Sequence, residues 1–258
     1  MEINFKNKVV VITGGASGIG KSISDNFHQR GGTVLVLDYD ENKVNTINNY
    51  DDEYFKAYLV DITDTQQVNI VINKIHNEYK KIDILVNNAG LNLINKFEDV
   101  DEIDFNKVLD TNLKGTYFCT QEVVKYMILK KSGKIINISS QAGITGQPYM
   151  STYCSAKFGI IGLTQALALE LGQYNITVNA ICPGDVKGTD MHEITSKKLT
   201  DILKISKKQL VNNSINKCPL NRMQNPQDVS NSVLYIASEY ANFITGESLN
   251  VSGGLEFH

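Results

Sequence analysis

The feature that most constrains this 258-residue chain is a glycine-rich turn near its amino end. Residues 8–12 form a short apolar, β-branched run that predicts a buried parallel strand. Residues 13–20 then read Thr-Gly-Gly-Ala-Ser-Gly-Ile-Gly, and helix-compatible residues continue to about Arg30. Glycines let a backbone approach a pyrophosphate, and a helix amino end offers free N–H groups and partial positive charge. Strand, turn and helix together predict a dinucleotide-binding unit rather than a mere turn, although the spacing is Gly-x-x-x-Gly-x-Gly.

An acidic residue ends the second predicted strand. Residues 33–37 read Thr-Val-Leu-Val-Leu and predict a strand, and Asp38 follows them about twenty residues after the glycines. A carboxylate there accepts hydrogen bonds from the adenosine ribose and repels a 2′-phosphate. Ser17 and Tyr39 are uncharged, so no cation is evident beside the turn. We therefore expect NAD rather than NADP, and the alternative for Asp38 is a helix cap.

The rest of the chain alternates strands and helices. Further strands are predicted at residues 54–60, 82–86, 134–139, 177–182 and 248–251, and helices at 64–79, 104–130, 151–173 and 226–238. This order predicts right-handed βαβ units in one α/β domain over residues 1–258, a Rossmann-like doubly wound parallel sheet with helices on both faces. Ligands of such sheets bind beyond the carboxyl ends of the strands.

Tyr153 and Lys157 are four residues apart in a predicted helix, so both side chains lie on one face. A phenol has a pKa near 10, and a fixed ammonium beside it lowers that pKa. The pair predicts a proton donor and acceptor usable near neutral pH, as a carbonyl/alcohol interconversion requires. A tyrosine and lysine at this spacing are by themselves most often surface residues; the upstream glycine turn favours catalysis.

Charge and composition exclude several classes of function. The net charge of −3 and the pI near 5.8 argue against a nucleic-acid-binding protein. The amino terminus lacks the pattern of a signal peptide, and no apolar stretch is expected to approach the length of a membrane span. The four cysteines and four histidines show no metal-ligand spacing. We expect a cytoplasmic protein that acts on a small molecule, without metal, membrane or nucleic acid.

The chain resembles the short-chain dehydrogenase/reductase family over essentially its whole length. The segments that carry the resemblance are the turn at 13–20, Asn87-Asn88-Ala89-Gly90, Asn112, Ile138-Ser139-Ser140, Tyr153-x-x-x-Lys157 and Pro183-Gly184. The resemblance implies a one-domain Rossmann-like fold, a nicotinamide cofactor and often a homotetramer.

The resemblance also implies catalytic roles. Tyr153 would exchange a proton with the substrate oxygen, and Lys157 would lower the phenol pKa and hold the nicotinamide ribose. Ser140, thirteen residues before Tyr153, would orient the substrate, with Ser139 as a rival one position off. Asn112 would support a water-linked proton path to Lys157; the alternative is a helix-interior asparagine bonded to the backbone.

The same resemblance implies a set of cofactor contacts. They are the turn residues Gly14, Ser17, Gly18 and Ile19; Asp38 at the ribose; Asp61 and Ile62 at the adenine; Asn88, Ala89 and Gly90 on the adenosine side; Tyr153 and Lys157; Pro183 and Gly184; and Val186 near the carboxamide. For Asn87 and Asn88, the alternative to a cofactor contact is a structural role. Thr189 is displaced by one position from the family's Pro-Gly-x-Val-x-Thr pattern, which leaves its bond to the carboxamide open.

Substrate specificity is expected in a lid at about residues 185–209. Between Lys187 and Lys208 this segment holds six lysines against three acidic residues. A basic lid would attract an anionic substrate such as a sugar phosphate, but a solvated helix face is the favoured explanation. Tentative substrate contacts are Gln141, Gln147, Lys187 and His192. The alternative for Gln147 is an ordinary loop residue, and the side chain of His192 points either into the pocket or to water.

Residues 140–143 and 185–191 are similar to segments of sugar-alcohol dehydrogenases in this family, including sorbitol and sorbitol-6-phosphate types. The resemblance therefore implies an oxidoreductase that moves a hydride between NAD(H) and a secondary alcohol or ketone, with a sugar alcohol or its phosphate as substrate. The alternatives are an acetoin/diacetyl reductase and a 3-hydroxybutyrate dehydrogenase. A 3-oxoacyl-carrier-protein reductase is less expected, because biosynthetic reductases usually draw on NADP and Asp38 opposes it. A non-catalytic NADH-sensing regulator is the alternative from a different class.

Overall fold

A seven-stranded parallel sheet forms the centre of the protein in a computed structural model that describes residues 3–257. The strands are β1 Val9–Thr13, β2 Thr33–Asp38, β3 Phe55–Leu59, β4 Ile84–Asn87, β5 Gly133–Ile138, β6 Ile176–Pro183 and β7 Ser248–Val251. Their order in the sheet is β3-β2-β1-β4-β5-β6-β7, so the order reverses between β1 and β4. The predicted Rossmann-like α/β fold is confirmed, and the reversal opens a crevice at the carboxyl ends of the strands.

Nine α-helices surround this sheet within the described residues. They are α1 Gly18–Gln29, α2 Glu41–Asn48, α3 Thr65–Tyr79, α4 Glu102–Leu109, α5 Gly115–Lys130, α6 Ser151–Leu171, α7 Asp190–Leu203, α8 Lys207–Lys217 and α9 Pro226–Ala237. Alternate residues of β1 face opposite layers, as the two-residue period of a strand requires. Val10 and Ile12 pack with α1 and α9, whereas Val9 and Val11 pack with α3 and α5. Both faces of the sheet are therefore buried, which explains its continuous apolar strands.

Three helical regions differ from the sequence prediction. The continuous helix expected at 104–130 is divided into α4, a π-helical turn at Asp110–Lys114, and α5. Helix α2 was missed because it is mostly polar and buries only Val44 and Ile47. The predicted lid folds as α7 and the beginning of α8. Predicted bounds of the other elements agree within about two residues, which is the usual uncertainty of helix and strand ends.

Among residues 3–257, one helix is long and apolar enough to cross a membrane by length and composition alone. It is the region Ser151–Tyr174, with a mean hydropathy of 1.2 over its most apolar window. The expectation that no apolar stretch approaches this length is therefore wrong as a statement about composition. The helix packs against β6 and α4, and a helix in the core of a domain passes the same test.

Asp83 joins three parts of the fold at the amino ends of the strands, opposite the crevice. Its side chain is 7% exposed and accepts a hydrogen bond from the Val9 amide at 2.8 Å. It also forms ion pairs with Lys130 of α5 and with Lys81. Burial raises the pKa of this carboxyl, but the hydrogen bonds from Lys130 and Val9 outweigh burial and hold the pKa below its usual range.

We expect the Asp83→Asn variant to lose about 1–3 kcal/mol of unfolding free energy at neutral pH, because a buried charge-assisted network is broken. A carboxyl whose folded pKa is lowered stabilises the protein above its unfolded pKa of about 3.9. That contribution is lost as the pH falls through the folded value. Urea unfolding should therefore show a constant difference from pH 8 to about 5, and a shrinking difference below about pH 4.

The matched control is Asp99→Asn, at an exposed aspartate, which should change the unfolding free energy by less than about 0.5 kcal/mol. An Asp83→Asn difference that stays the same at pH 3 would contradict the assignment.

Candidate active site

The predicted cofactor and catalytic residues meet at one edge of the sheet. Gly14 follows β1, Asp38 ends β2, Gly90 lies just after β4, Ser140 follows β5, and Gly184 follows β6. All of these strands are parallel, so their carboxyl ends share the same edge. This edge is where the crevice at the reversal of strand order opens.

The glycine turn is shaped to receive an anion. Gly14 and Gly18 have φ angles of +61° and +54°, a region that favours glycine. A Cβ on Gly20 would lie 2.0 Å from the Gly14 carbonyl oxygen, so the close turn requires glycine there. Among the described residues, α1 has no acidic side chain in its first turn and Ser17 makes no capping bond. The first-turn amides, which include that of Ile19, lack helical acceptors and fit a pyrophosphate.

Asp38 holds the glycine turn against the end of β2. Its side chain is 6% exposed, and Oδ2 accepts a hydrogen bond from the Ala16 amide at 3.1 Å. Oδ1 accepts from the Asp40 amide at 3.2 Å. The alternative of a helix cap at Asp38 is wrong, because the side chain of Asp40 caps α2. The carboxylate of Asp38 therefore lies next to the turn, where a ribose would be expected.

The asparagines after β4 hold the framework of the site. The Asn88 side-chain amide donates to the carbonyl oxygens of Thr13 and Gly14 at 3.1 and 2.9 Å. The Thr13 hydroxyl accepts from the backbone amides of Asn88 and Ala89. The Asn87 amide donates to Thr120 and to Asn137 inside the sheet layer. The structural role given as the alternative for Asn87 and Asn88 therefore describes their side chains.

The two residues expected at the adenine point in different directions. Asp61 is exposed after β3, and its carboxylate accepts hydrogen bonds from Thr63. Ile62 is 7% exposed and packs against α5, where a Cβ on Gly115 would lie 2.7 Å from its Cδ1 atom. Asp61 therefore lies at the surface of the cofactor edge, while Ile62 belongs mostly to the core.

Tyr153 and Lys157 lie on one face of α6 and are 8% and 4% exposed. The Lys157 Nζ atom is 5.5 Å from the centroid of the Tyr153 ring and donates to the Ile138 carbonyl at 2.8 Å. The hydroxyl of Ser140 accepts a hydrogen bond from the Ala142 amide at 3.1 Å and lies close enough to Tyr153 to lower the pKa of the phenol. Ser139 instead donates to the Lys157 carbonyl at 2.9 Å. The structure therefore places Ser140, not its rival Ser139, against the phenol.

The electrostatics of this group differ from the sequence prediction. Burial raises the pKa of Tyr153 to about 12, and the nearby Ser140 hydroxyl offsets only part of the rise. Burial lowers the pKa of Lys157 to about 8. The predicted lowering of the Tyr153 pKa by Lys157 is wrong for this arrangement, because desolvation is the largest effect on the phenol. The ammonium lies beside the ring and bonds a backbone carbonyl instead.

Asn112 lies in the π-helical turn and is fully buried. Its side-chain amide donates to the carbonyl oxygens of Leu91 and Val108, both at 2.8 Å. Its Oδ1 atom has no hydrogen-bond partner within the described part of the chain. A Cβ on Gly90 would lie 2.6 Å from this oxygen and 3.6 Å from the Lys157 Nζ atom. The Asn112 side-chain amide therefore bonds the backbone, as in the alternative of a helix-interior asparagine. Its oxygen also remains a buried acceptor near Lys157, where a water molecule would fit.

The residues after β6 form a fixed wall of the crevice. Pro183 ends β6, and the Gly184 amide donates to the Gln224 side chain at 3.0 Å and to the Val251 carbonyl at 3.1 Å. Val186 is 7% exposed and forms a parallel bridge with Gln224. This wall stands beside the site expected for the nicotinamide.

Thr189 caps α7 through a hydrogen bond from the His192 amide at 3.1 Å. Its methyl group lies 3.4 Å from the position of a Cβ on Gly18. The displaced threonine therefore reaches the glycine turn, but its hydroxyl already serves as the helix cap.

The four tentative substrate residues do not form one group. Gln141 follows Ser140, and its buried Oε1 atom has no partner among residues 3–257. The Gln147 amide donates to Glu256 at 3.3 Å. Lys187 is exposed. His192 is 9% exposed, and its Nδ1 atom lies 3.1 Å from Asp185, so it points neither to water nor freely into a pocket.

Two residues of this region were missed by the sequence analysis. Asp185 binds both lid helices, and Glu256 accepts hydrogen bonds from Thr145 and Gln147 in the loop after β5. Gln147 and Glu256 are separated by 109 residues in sequence. No local motif indicates such a contact, because only the folded sheet brings them together.

The lid lysines lie at the protein surface. All six are exposed, as a solvated helix face requires, and Lys207 pairs with Glu193. The four cysteines are free and buried. Within residues 3–257, no group of three or more histidine, cysteine, aspartate or glutamate side chains is arranged to hold a metal ion.

Comparison with known proteins gives the family. Residues 8–200 match the family model described as short chain dehydrogenase. The chain is 34% identical over 256 residues to the 3-oxoacyl-(acyl-carrier-protein) reductase FabG of Thermotoga maritima. This match covers 98% of this chain and 99% of that protein. It is 35% identical over 253 residues to an NAD-dependent glycerol dehydrogenase of Listeria innocua, covering 98% and 95%.

Solved structures agree with this relationship. The structure described as ElxO with NADP bound superimposes with a TM-score of 0.86 at 35% identity, covering 96% of this chain and 98% of that one. The structure of gox2181 gives a TM-score of 0.87 at 27% identity. The crevice, Ser140 with the buried Tyr153 and Lys157, and these matches show that the chain belongs to the short-chain dehydrogenase/reductase family and is an oxidoreductase acting on CH–OH or keto groups.

Proposed function

We propose that this enzyme interconverts a secondary alcohol and a ketone with NAD(H), and that its substrate is a sugar alcohol or the phosphate of one. The observation that supports this reaction is that Ser140, Tyr153 and Lys157 lie close together at the edge of the sheet that also carries the glycine turn. These side chains provide an orienting hydroxyl, a proton donor and a cation at the edge where the fold binds ligands.

Each of these polar side chains has a role in the proposed reaction. When bound, the nicotinamide supplies a hydride donor or acceptor. Ser140 orients the substrate oxygen, and Tyr153 gives that oxygen a proton in reduction or takes one in oxidation. A pKa near 12 keeps Tyr153 protonated at neutral pH, which is the form that ketone reduction needs. Proton transfer of this kind contributes roughly 10²–10⁴-fold to the rate.

Lys157 and Asn112 would connect Tyr153 to solvent. The pKa of Lys157 is lowered to about 8, so its ammonium can lose and regain a proton near neutral pH. The unpartnered Asn112 oxygen lies near it in a buried space. A water held there would accept a hydrogen bond from Lys157 and donate one to Asn112, completing a path for the proton.

The charges near Asp38 support NAD. A 2′-phosphate beside this carboxylate would meet like charge. The nearby cation Lys43 lies 3.5 Å from Asp40 and 3.4 Å from Asp190, so two acids already neutralise it. The glycerol dehydrogenase relative is described as NAD-dependent, whereas the solved relative ElxO is described with NADP bound.

The polar groups near Ser140 support a polyol. Gln141 Oε1 is a buried acceptor without a partner in the described residues, and a second hydroxyl of a polyol would satisfy it. A polyol is also the substrate named in the description of the glycerol dehydrogenase relative. The second candidate function is reduction of a 3-oxoacyl thioester, which is supported by similar relatives from several bacteria described as 3-oxoacyl-(acyl-carrier-protein) reductases.

We infer in addition that copies of the chain assemble into a homotetramer. Helices α5 and α6 carry exposed apolar side chains, including Tyr117, Phe158 and Leu169. Association would remove this apolar surface from water. The cytoplasmic location stays a prediction.

The function is tested by measuring the change in NADH or NADPH absorbance when the enzyme is mixed with each compound of a panel. The panel contains sorbitol, sorbitol 6-phosphate, glycerol, acetoin, 3-hydroxybutyrate and a 3-oxoacyl thioester. We expect NAD-linked turnover with a polyol or its phosphate. Preferred turnover of the thioester with NADPH would replace the proposal by the second candidate. An absence of turnover with every compound would support the alternative of a non-catalytic NADH-sensing regulator.

We expect Tyr153→Phe to reduce kcat by about 10²–10⁴-fold, because the general acid is removed. The dissociation constant of NADH should change by less than about threefold, since the ring remains in place. Enhancement of NADH fluorescence on binding measures that constant. Normal turnover in this variant would exclude Tyr153 from proton transfer.

Replacement of Asp38 by asparagine should shift cofactor preference. Removing the charge next to a 2′-phosphate should lower the ratio of kcat/KM for NADH over NADPH by about tenfold. The control Glu41→Gln removes an exposed charge from the first turn of α2 and should leave the ratio within about twofold. Equal ratios in the two variants would contradict a role for Asp38 in cofactor choice.

A further inference from the structure

The Asp185 carboxylate lies between the two lid helices. Its Oδ1 atom is 3.1 Å from the His192 Nδ1 atom of α7. Its Oδ2 atom accepts a hydrogen bond from the Ser214 hydroxyl of α8 at 3.0 Å. One side chain therefore connects α7 and α8 to the loop that follows β6.

The backbone on either side of Asp185 is fixed. Gly184 is held by hydrogen bonds to Gln224 and Val251, and Val186 is bridged to Gln224. The carboxylate thus extends from the wall of the crevice rather than from a loose loop. A lid attached to it takes its position from the sheet.

The first turn of α7, which carries His192, also contacts the cofactor side of the crevice. Thr189 lies against Gly18 of the glycine turn, and Asp190 pairs with Lys43 at 3.4 Å. The amino-terminal turn of α7 therefore lies between the glycine turn and the Asp185 carboxylate. A shift of α7 at Asp185 would change the opening through which substrate and cofactor enter.

His192 is mostly enclosed at this contact. Its side chain is 9% exposed, and its Nε2 atom is 3.4 Å from the Ser196 hydroxyl. The charged groups that face it are Asp185 on the loop after β6, Glu193 on α7 and Lys207 on α8. The hydrogen bond to Asp185 raises the pKa of His192, and burial opposes this rise.

We propose that Asp185 is a positioning residue that holds α7 and α8 over the crevice, and that the charged His192–Asp185 pair holds them more tightly than the neutral one. The role in substrate entry depends on the function proposed above, whereas the contact itself does not. A histidine whose folded pKa is raised contributes stability below its unfolded pKa of about 6.5 and loses it as pH rises through the folded pKa. The His192–Asp185 contact therefore holds the lid most firmly at pH values below 7.

Limited trypsin digestion of the full-length protein tests the contact without cofactor or substrate. The lid contains lysines at positions 197, 198, 204, 207 and 208, so its opening is reported by cleavage there. Asp185→Asn is compared with Asp201→Asn, which removes the same charge from an exposed position of α7. Rates are taken as ratios at each pH, because trypsin itself depends on pH.

We expect Asp185→Asn to be cleaved in the lid about tenfold faster than Asp201→Asn at pH 6, and only about two- to threefold faster at pH 9. His192→Gln should show the same acid-side effect, and it serves as the second variant if Asp185→Asn does not fold. Adding His192→Gln to Asp185→Asn should have little further effect. Equal cleavage of Asp185→Asn and Asp201→Asn at both pH values would overturn the proposal.

A second readout separates this proposal from the function. In the enzyme, Asp185→Asn should raise KM for the substrate at pH 6 by about tenfold while kcat changes less than about threefold. If cleavage responds as expected but no substrate of the panel turns over, the contact stands and the proposed reaction fails. If turnover is present and cleavage is unchanged, the reaction stands and the role of Asp185 fails.

Discussion

The active site depends on a short set of hydrogen bonds between the end of β5 and helix α6. Ser139 donates to the Lys157 carbonyl, and the Lys157 ammonium donates back to the Ile138 carbonyl. A Cβ on Gly143 would lie 2.7 Å from the same Lys157 carbonyl, so only a glycine allows the approach. These contacts fix the rotation of α6 about its axis and turn Tyr153 toward Ser140. The contacts between β5 and α6 thus set the position of Tyr153, the proton donor.

Burial rather than charge pairing controls the protonation of this group. Tyr153 and Lys157 are both almost fully enclosed, and desolvation favours the neutral form of each. The phenol therefore keeps its proton more firmly, and the lysine releases its proton more easily. A neutral phenol beside a lysine that titrates near neutral pH forms a reservoir from which a proton can be delivered to an oxygen.

The sequence predicted the strands well because both faces of the sheet are buried, which produces continuous apolar runs such as residues 34–37. It also predicted Tyr153, Lys157, Ser140 and the glycine turn, whose contacts are local or follow from strand ends. It could not predict that Glu256 holds Gln147, nor that His192 pairs with Asp185. Such contacts depend on how loops from separate strands meet, and no periodic pattern records them. Solvent exclusion at Tyr153 is likewise a property of the assembled core.

The π-helical turn at Asp110–Lys114 has a consequence for how this helical region can change. A π-helical turn holds about one residue more than an α-helix needs over the same stretch, so deletion of one residue there would restore regular α-helical bonding while the later side chains of α5 keep their directions. Within the turn, Asn112 would lose the direction that brings its side chain to the crevice. A deletion at the start of α5 would instead turn every later side chain by about 100° and carry Cys119, Val123 and Met127 away from the sheet. Deletions in α5 should therefore be selected against far more strongly than point substitutions. The irregular turn sets the direction of Asn112 without disturbing the face that α5 presents to the core.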